Sequence, residues 1–174
     1  MSHLRSLRDL FVHELQDLHS AESQLLVALP KMQQAATDPD LKKAFEHHLG
    51  ETRDQLERLD QCFSTLATTP GGKTCEAMQG LIKEGEGIIE ADADPTVRDA
   101  ALISAAQRVE HYEIAAYGTA KYFADILDYD DLQGLLDKTL KEESNADKKL
   151  NKIATGGMLS SGINKEAMEH GRRH

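Results

Sequence analysis

The chain has 174 residues, a formal net charge of -10 and a pI near 5.2; such a surface repels polyanions, so nucleic acid and anionic membranes are not expected partners and cations are. Its 40% hydrophobic and 29% charged residues, with four prolines, fit one folded helical domain and exclude a disordered or fibrous chain. No apolar run reaches the ~18 residues of a membrane span, and Met1-Ser2-His3-Leu4-Arg5 leads straight into an amphipathic pattern without a leader core, so a cytoplasmic protein is expected.

In chain order, Leu7, Leu10, Phe11, Leu15, Leu18, Leu25, Leu29 and Met32 recur at helical spacing and predict a first long helix over roughly 4–36, kinked at Pro30. Thr37-Asp38-Pro39 supplies a polar cap and a proline at the first helical position, which starts a second helix. That helix carries Leu41, Phe45, Leu49, Leu56, Leu59 and Phe63 and stops before the loop Thr68-Thr69-Pro70-Gly71-Gly72. A shorter helix over about 75–91 presents Met78, Leu81, Ile82, Ile88 and Ile89. Asp94-Pro95 repeats the cap-then-proline signal and opens a third long helix through Leu102, Ile103, Ala106, Val109, Ile114, Tyr117 and Phe123, which Asp128-Tyr129-Asp130 ends. The fourth runs over roughly 131–154 with Leu132, Leu135, Leu136, Leu140, Leu150 and Ile153 inward, and Gly156-Gly157 ends it. Residues 156–174 are rich in Gly, Ser and charge and are expected to form a partly mobile tail after a 1–155 body, with His170, Arg172, Arg173 and His174 as a solvated end.

Two short turns predict antiparallel hairpins, and a middle connection of about thirty residues joins them. The expected architecture is therefore all-α, a ferritin-like four-helix bundle with one long crossover that contains an additional short helix.

Projecting each long helix at ~3.6 residues per turn places acids on the apolar stripe. Glu22 lies four residues after Leu18 and three before Leu25; His48, Glu51 and Gln55 share the face of Leu59, with Asp54 nearer its edge. Glu110 and Glu113 fall between Ala106 and Tyr117, and Glu143 and Asp147 between Leu136, Leu140 and Leu150. No inward Lys or Arg is expected beside them. Several unpaired carboxylates in one core are strongly destabilising without cations, protons or basic partners, and carboxylate oxygens suit iron or manganese. Elsewhere, His111 points about 100° away from Glu110, Tyr112 and Tyr117 read as packing residues, Tyr117 close enough to a metal to be oxidised, and Cys62 and Cys75 as ordinary thiols. Asp17 and Glu14 sit at the bundle's edge, while His13, His19 and His47 are expected at the surface or rim.

The segments Asp17-Leu-His-Ser-Ala-Glu-Ser-Gln-Leu25, His48-Leu-Gly-Glu-Thr52 with Gln55, Lys73-Thr-Cys-Glu-Ala-Met78, Val97-Arg-Asp-Ala-Ala-Leu-Ile103 and Val109-Glu-His-Tyr-Glu-Ile-Ala115 resemble the YciE/YciF-type ferritin-like proteins, which are bacterial, stress-associated and similar to rubrerythrin in fold. The resemblance covers nearly the whole chain and implies a helical bundle, often a homodimer, with a dinuclear metal centre or its remnant. It implies one carboxylate per helix in Glu22, Glu51, Glu110 and Glu143, and an extra one in Glu113. The two Glu-x-x-His motifs of di-iron carboxylate proteins are not intact, because Asp54 follows Glu51 and Ala146 follows Glu143 at that spacing; His48 and Asp147 are the candidate replacements. The implied cofactor is two metal ions, iron first and manganese or zinc as alternatives, with peroxide or oxygen as oxidant. The competing expectation is a non-catalytic structural stress protein with a vestigial site.

Overall fold

A computed structural model describes residues 4–157 and 161–171, all helix and connection with no strand among them. Four long helices, α1 (Leu7–Ala35), α2 (Pro39–Thr65), α4 (Pro95–Ile126) and α5 (Asp130–Thr155), are joined by two short turns and one long connection that holds α3 (Glu76–Glu90). The starts are fixed locally: the Ser6 hydroxyl accepts from the Asp9 amide, and Asp38 and Asp94 accept from the first amides of helices that open on Pro39 and Pro95. Pro30 lies inside α1.

The helices run antiparallel to their neighbours. Arg8 at the start of α1 donates to the Leu66 carbonyl just past the end of α2, and Arg58 of α2 reaches Thr139 and Glu142 of α5. Around the core the order is α1, α2, α5, α4, with α3 laid against α1 and α4.

The apolar interior is two clusters. One contains Leu25, Leu29, Phe45, Leu102, Ile103, Val109 and Leu150; the other contains Phe11, Leu15, Leu18, Leu59, Phe63, Tyr117 and Leu136. Apart from Asp99 near the start of α4, the buried polar residues of the long helices fall between them: Glu22 on α1; His48, Thr52, Gln55 and Arg58 on α2; Glu110 and Glu113 on α4; Thr139 and Glu143 on α5. A polar layer thus crosses the core, walled above and below by hydrocarbon.

Past α5 the chain turns back on itself at Gly162, whose φ of +60° and close approach to the Gly156 nitrogen admit no side chain. It then forms α6 (Ile163–Gly171), which packs on α4 and α5 with Ile163 buried. The side chain of His170, and Arg172, Arg173 and His174, lie outside the described residues.

Candidate metal centre

His48, Glu110, Glu113 and Glu143 each bring one ligand atom to within 4.8 Å of the others, and all four are buried. The His48 Nε2 is 3.6 Å from Glu110 Oε1 and 3.6 Å from Glu143 Oε2, too long for hydrogen bonds. An ion with bonds of about 2.1 Å spans at most some 4.2 Å between ligands, so the widest separation has up to about 0.6 Å to close.

The buried polar atoms without a hydrogen-bond partner decide what this layer is for. Among the described residues nine such side-chain atoms occur, and seven belong here: Glu22 Oε2, His48 Nε2, Gln55 Oε1, Glu110 Oε2, both oxygens of Glu113 and Glu143 Oε2. Burying that many polar atoms without partners is strongly unfavourable. One divalent cation would satisfy most of them together, so the donor set fits a hard or borderline metal held by three carboxylates and an imidazole.

The electrostatics point the same way. Burial above all pushes the Glu22 carboxyl up, to about 8, with the nearby Glu143 charge adding to it and the Tyr117 hydroxyl opposing it. Burial likewise raises Glu113 and Glu110 well above the carboxylate range, Glu110 against the pull of His48, and raises Glu143. Burial alone would depress His48; the carboxylates of Glu110, Glu51, Glu143 and Glu22 overcome it and lift the imidazole to about 10. Without a metal, His48 is therefore a counter-cation of the layer's carboxylates alongside Arg58, and ligation would release its proton.

The remaining sequence candidates take different places. Glu22 is fully buried and accepts from the Tyr117 hydroxyl at 2.6 Å, so Tyr117 is a hydrogen-bond donor to the layer as well as a packing residue. Glu51 sits half-buried at the rim, where one oxygen meets His47 Nδ1 at 3.3 Å and His48 Nδ1 at 3.4 Å. It lines a cavity of about 190 Å³ that also touches His47, Ala146, Lys149 and Glu110 and opens the layer to solvent between α2 and α5. Asp147 is turned to the α4–α5 rim, paired with Gln107 (3.1 Å) and the exposed His111 (3.4 Å). Asp54 is exposed.

The expectation of no inward basic residue is wrong. Arg58 is 6% exposed, and its guanidinium donates to Thr139 at 2.6 Å and to both oxygens of Glu142 at 2.8 Å. Arginine reads as a surface residue in sequence, yet Arg58 lies three residues after Gln55 and four before Cys62, both on the buried face; that spacing is the signal. Gln55, also fully buried, donates its amide to Glu143 Oε1 and, at 3.2 Å, to Glu142.

Outside the layer, Tyr112 donates to Asp17 at 2.5 Å and its oxygen contacts Cys75 Sγ at 2.9 Å, while Lys73 pairs with Asp17 at 2.8 Å. This network ties the segment before α3 to α1 and α4. Burial pushes the Cys75 thiol up and that of Cys62 to about 12, so both are poor nucleophiles.

The profile of the family described as a domain of unknown function (DUF892) matches residues 6–167. Protein YciF of Escherichia coli (strain K12) is 43% identical over 163 residues, 93% of this chain and 98% of that protein. The crystal structure of the E. coli stress protein YciF superposes with a TM-score of 0.84 at 44% identity, covering 86% of this chain and 95% of the other. YcfI, described as a putative structural protein from Rhodopseudomonas palustris, gives 0.82 at 48% identity, over 86% and 96%. A Xanthomonas campestris protein, 18% identical with a TM-score of 0.72 over 97% and 98% of the two chains, shares the fold.

Proposed function

We propose, from the premise that the chain belongs to the DUF892 family, that it is a ferritin-like four-helix bundle, α3 lying in its one long crossover, that binds a divalent transition metal in the polar layer of its core. Iron is the first candidate, and manganese and zinc suit the same donors. The observation that carries this reading is the gathering of seven unpartnered buried polar atoms in one layer. The E. coli relative is described as a stress protein, and the setting for this chain would likewise be defence under stress.

Bound iron supplies one-electron redox chemistry and open positions for peroxide or dioxygen. The chain's own part is binding and enclosure. Glu110, Glu113 and Glu143 offer oxygens and His48 its Nε2; Tyr117 steadies Glu22 and Gln55 steadies Glu143 through hydrogen bonds; the cavity beside Glu51 is wide enough for small oxidants. The apolar clusters on either side keep bulk water out.

Anaerobic loading with ferrous iron tests the reading. Stoichiometric uptake and peroxide consumption faster than by His48→Gln are expected; the absence of both sinks it. A second reading, a non-catalytic structural protein, draws on the absent Glu-x-x-His pairs and on the description of the R. palustris relative as structural. Under it, replacing Glu110 and Glu113 by Gln leaves stress protection intact.

A further inference from the structure

We infer that the core holds a single metal ion rather than a pair, on the His48 side of the layer, and that Gln55 and Arg58 stand where the ligands of a second ion belong. The inference rests on the metal-binding reading and narrows it.

Di-metal carboxylate bundles take one Glu from each of two helices and a Glu-x-x-His pair from each of the other two. In this chain α1 supplies Glu22, and α4 supplies Glu110 together with Glu113, which leaves α2 and α5 for the pairs. On α5 the pair begins at Glu143, and its third-following residue is Ala146. Two residues of α2 face Glu143: His48, whose Nε2 is 3.6 Å from Oε2, and two turns further along Gln55, whose amide donates to Oε1. At this level, then, α2 presents Gln55-x-x-Arg58 in place of Glu-x-x-His.

Both replacements oppose a cation. An amide N–H occupies Glu143 Oε1, the oxygen other than the one beside His48. A guanidinium, which does not give up its proton in proteins, is buried one turn further along α2, and Thr139 with both oxygens of Glu142 locks it there. A permanent positive charge, paired with Glu142, therefore already stands on this side of the layer. Tyr117 engages one Glu22 oxygen, so Glu22 keeps a single free oxygen.

The other side is completed rather than blocked. Ala146 lines the same cavity as His48, and from α2 His48 places its Nε2 3.6 Å from both Glu110 and Glu143. The one buried imidazole and three carboxylates therefore converge on one point.

Manganese(II) alone, added to the metal-free full chain, tests this by equilibrium dialysis and electron paramagnetic resonance. One tightly held equivalent per chain is expected, with the hyperfine spectrum of an isolated ion. Gln55→Glu combined with Arg58→His, which rebuilds the pair on α2, is expected to take up a second equivalent and lose signal through coupling between neighbouring ions. Two equivalents with a coupled spectrum in the natural chain overturn the inference and leave the metal-binding reading standing; no uptake removes both. A double variant that keeps its helical circular dichroism yet still binds one ion also overturns it. Should that variant fail to fold, Gln55→Glu alone gives the decision: it keeps Arg58 and is expected to stay at one equivalent, and a second equivalent there refutes the role of Arg58.

Discussion

Two buried acid sites in this molecule follow opposite rules. Asp99, 2% exposed near the start of α4, accepts from the Thr37 amide (2.8 Å), the Thr37 hydroxyl (2.6 Å) and the Asp38 amide (2.7 Å). It holds the α1–α2 turn against α4, and both its oxygens are engaged. Glu113, fully buried in the polar layer, has no partner on either oxygen. A buried carboxylate saturated by donors supports the fold; one that lacks them destabilises it and is kept for a ligand. The largest expected effect follows from the first half of that contrast. Asp99→Ala strands two backbone amides and is expected to cost about 3 kcal/mol, or some 6–12 °C in Tm for a chain of this size, with metal uptake per folded chain unchanged. Thermal melts with and without chelator check it, and a loss of uptake in the folded variant breaks the contrast.

Glu113→Gln should do the reverse. Removing a buried, unpartnered acid is expected to stabilise the metal-free protein by about 1–3 kcal/mol while weakening metal binding at least tenfold, the lower end of what even a supporting residue costs. The pH dependence sharpens the comparison. A carboxyl whose pKa is raised on folding holds its proton more tightly in the folded state, so its contribution is intact below the ordinary value of 4.5 and stability declines as pH rises towards the folded value, about 8 for Glu22. His48, raised from 6.5 to about 10, contributes stability that is lost in turn as pH climbs through that window. Metal-free protein is therefore expected to lose stability steadily from pH 5 to 9. Glu113→Gln is expected to flatten the slope, as is saturating metal, and an unchanged slope in chelator counts against the layer's acids as its cause.

The sequence carries much of this because its signals are local. Asp38-Pro39 and Asp94-Pro95 mark two helix starts without reference to anything distant, and Glu22, Glu110, Glu113 and Glu143 declare themselves by their spacing to apolar neighbours on the same helix. Arg58 escapes such reading: its burial depends on Thr139 and Glu142, 81 and 84 residues away, and arginine alone is a surface residue by habit. Asp99 is hidden for a related reason, since its partners are two backbone amides and a hydroxyl at a turn 61–62 residues earlier. Asp147, four residues after Glu143, lies about 40° further round the helix, enough for Gln107 and His111 to hold it at the rim. Ile163 lies beyond the last periodic helix, and only the return at Gly162 brings it into the core.

The smallest expected effect lies between the two kinds of acid, at Glu22, which has one donor. Tyr117→Phe removes that donor while leaving the ring to pack, and the phenyl strands no hydroxyl of its own. What is lost is one hydrogen bond to the carboxylate, of about 1–2 kcal/mol when the acid is ionised. The Tyr117 hydroxyl holds the Glu22 pKa down against burial, so without it the proton is retained to higher pH and the cost falls mainly on the alkaline side. Near pH 5 Glu22 carries its proton in both proteins and the two should melt within about 0.5 kcal/mol of each other, the scale of a neutral hydrogen bond. The gap should open as pH rises through about 8 and still be widening near pH 9. Metal uptake should weaken only modestly, because Glu22 stands outside the four residues that converge. A gap that is the same at both pH values would mean that Tyr117 acts through packing alone, and Glu22 would then join Glu113 as an acid with no support from the fold.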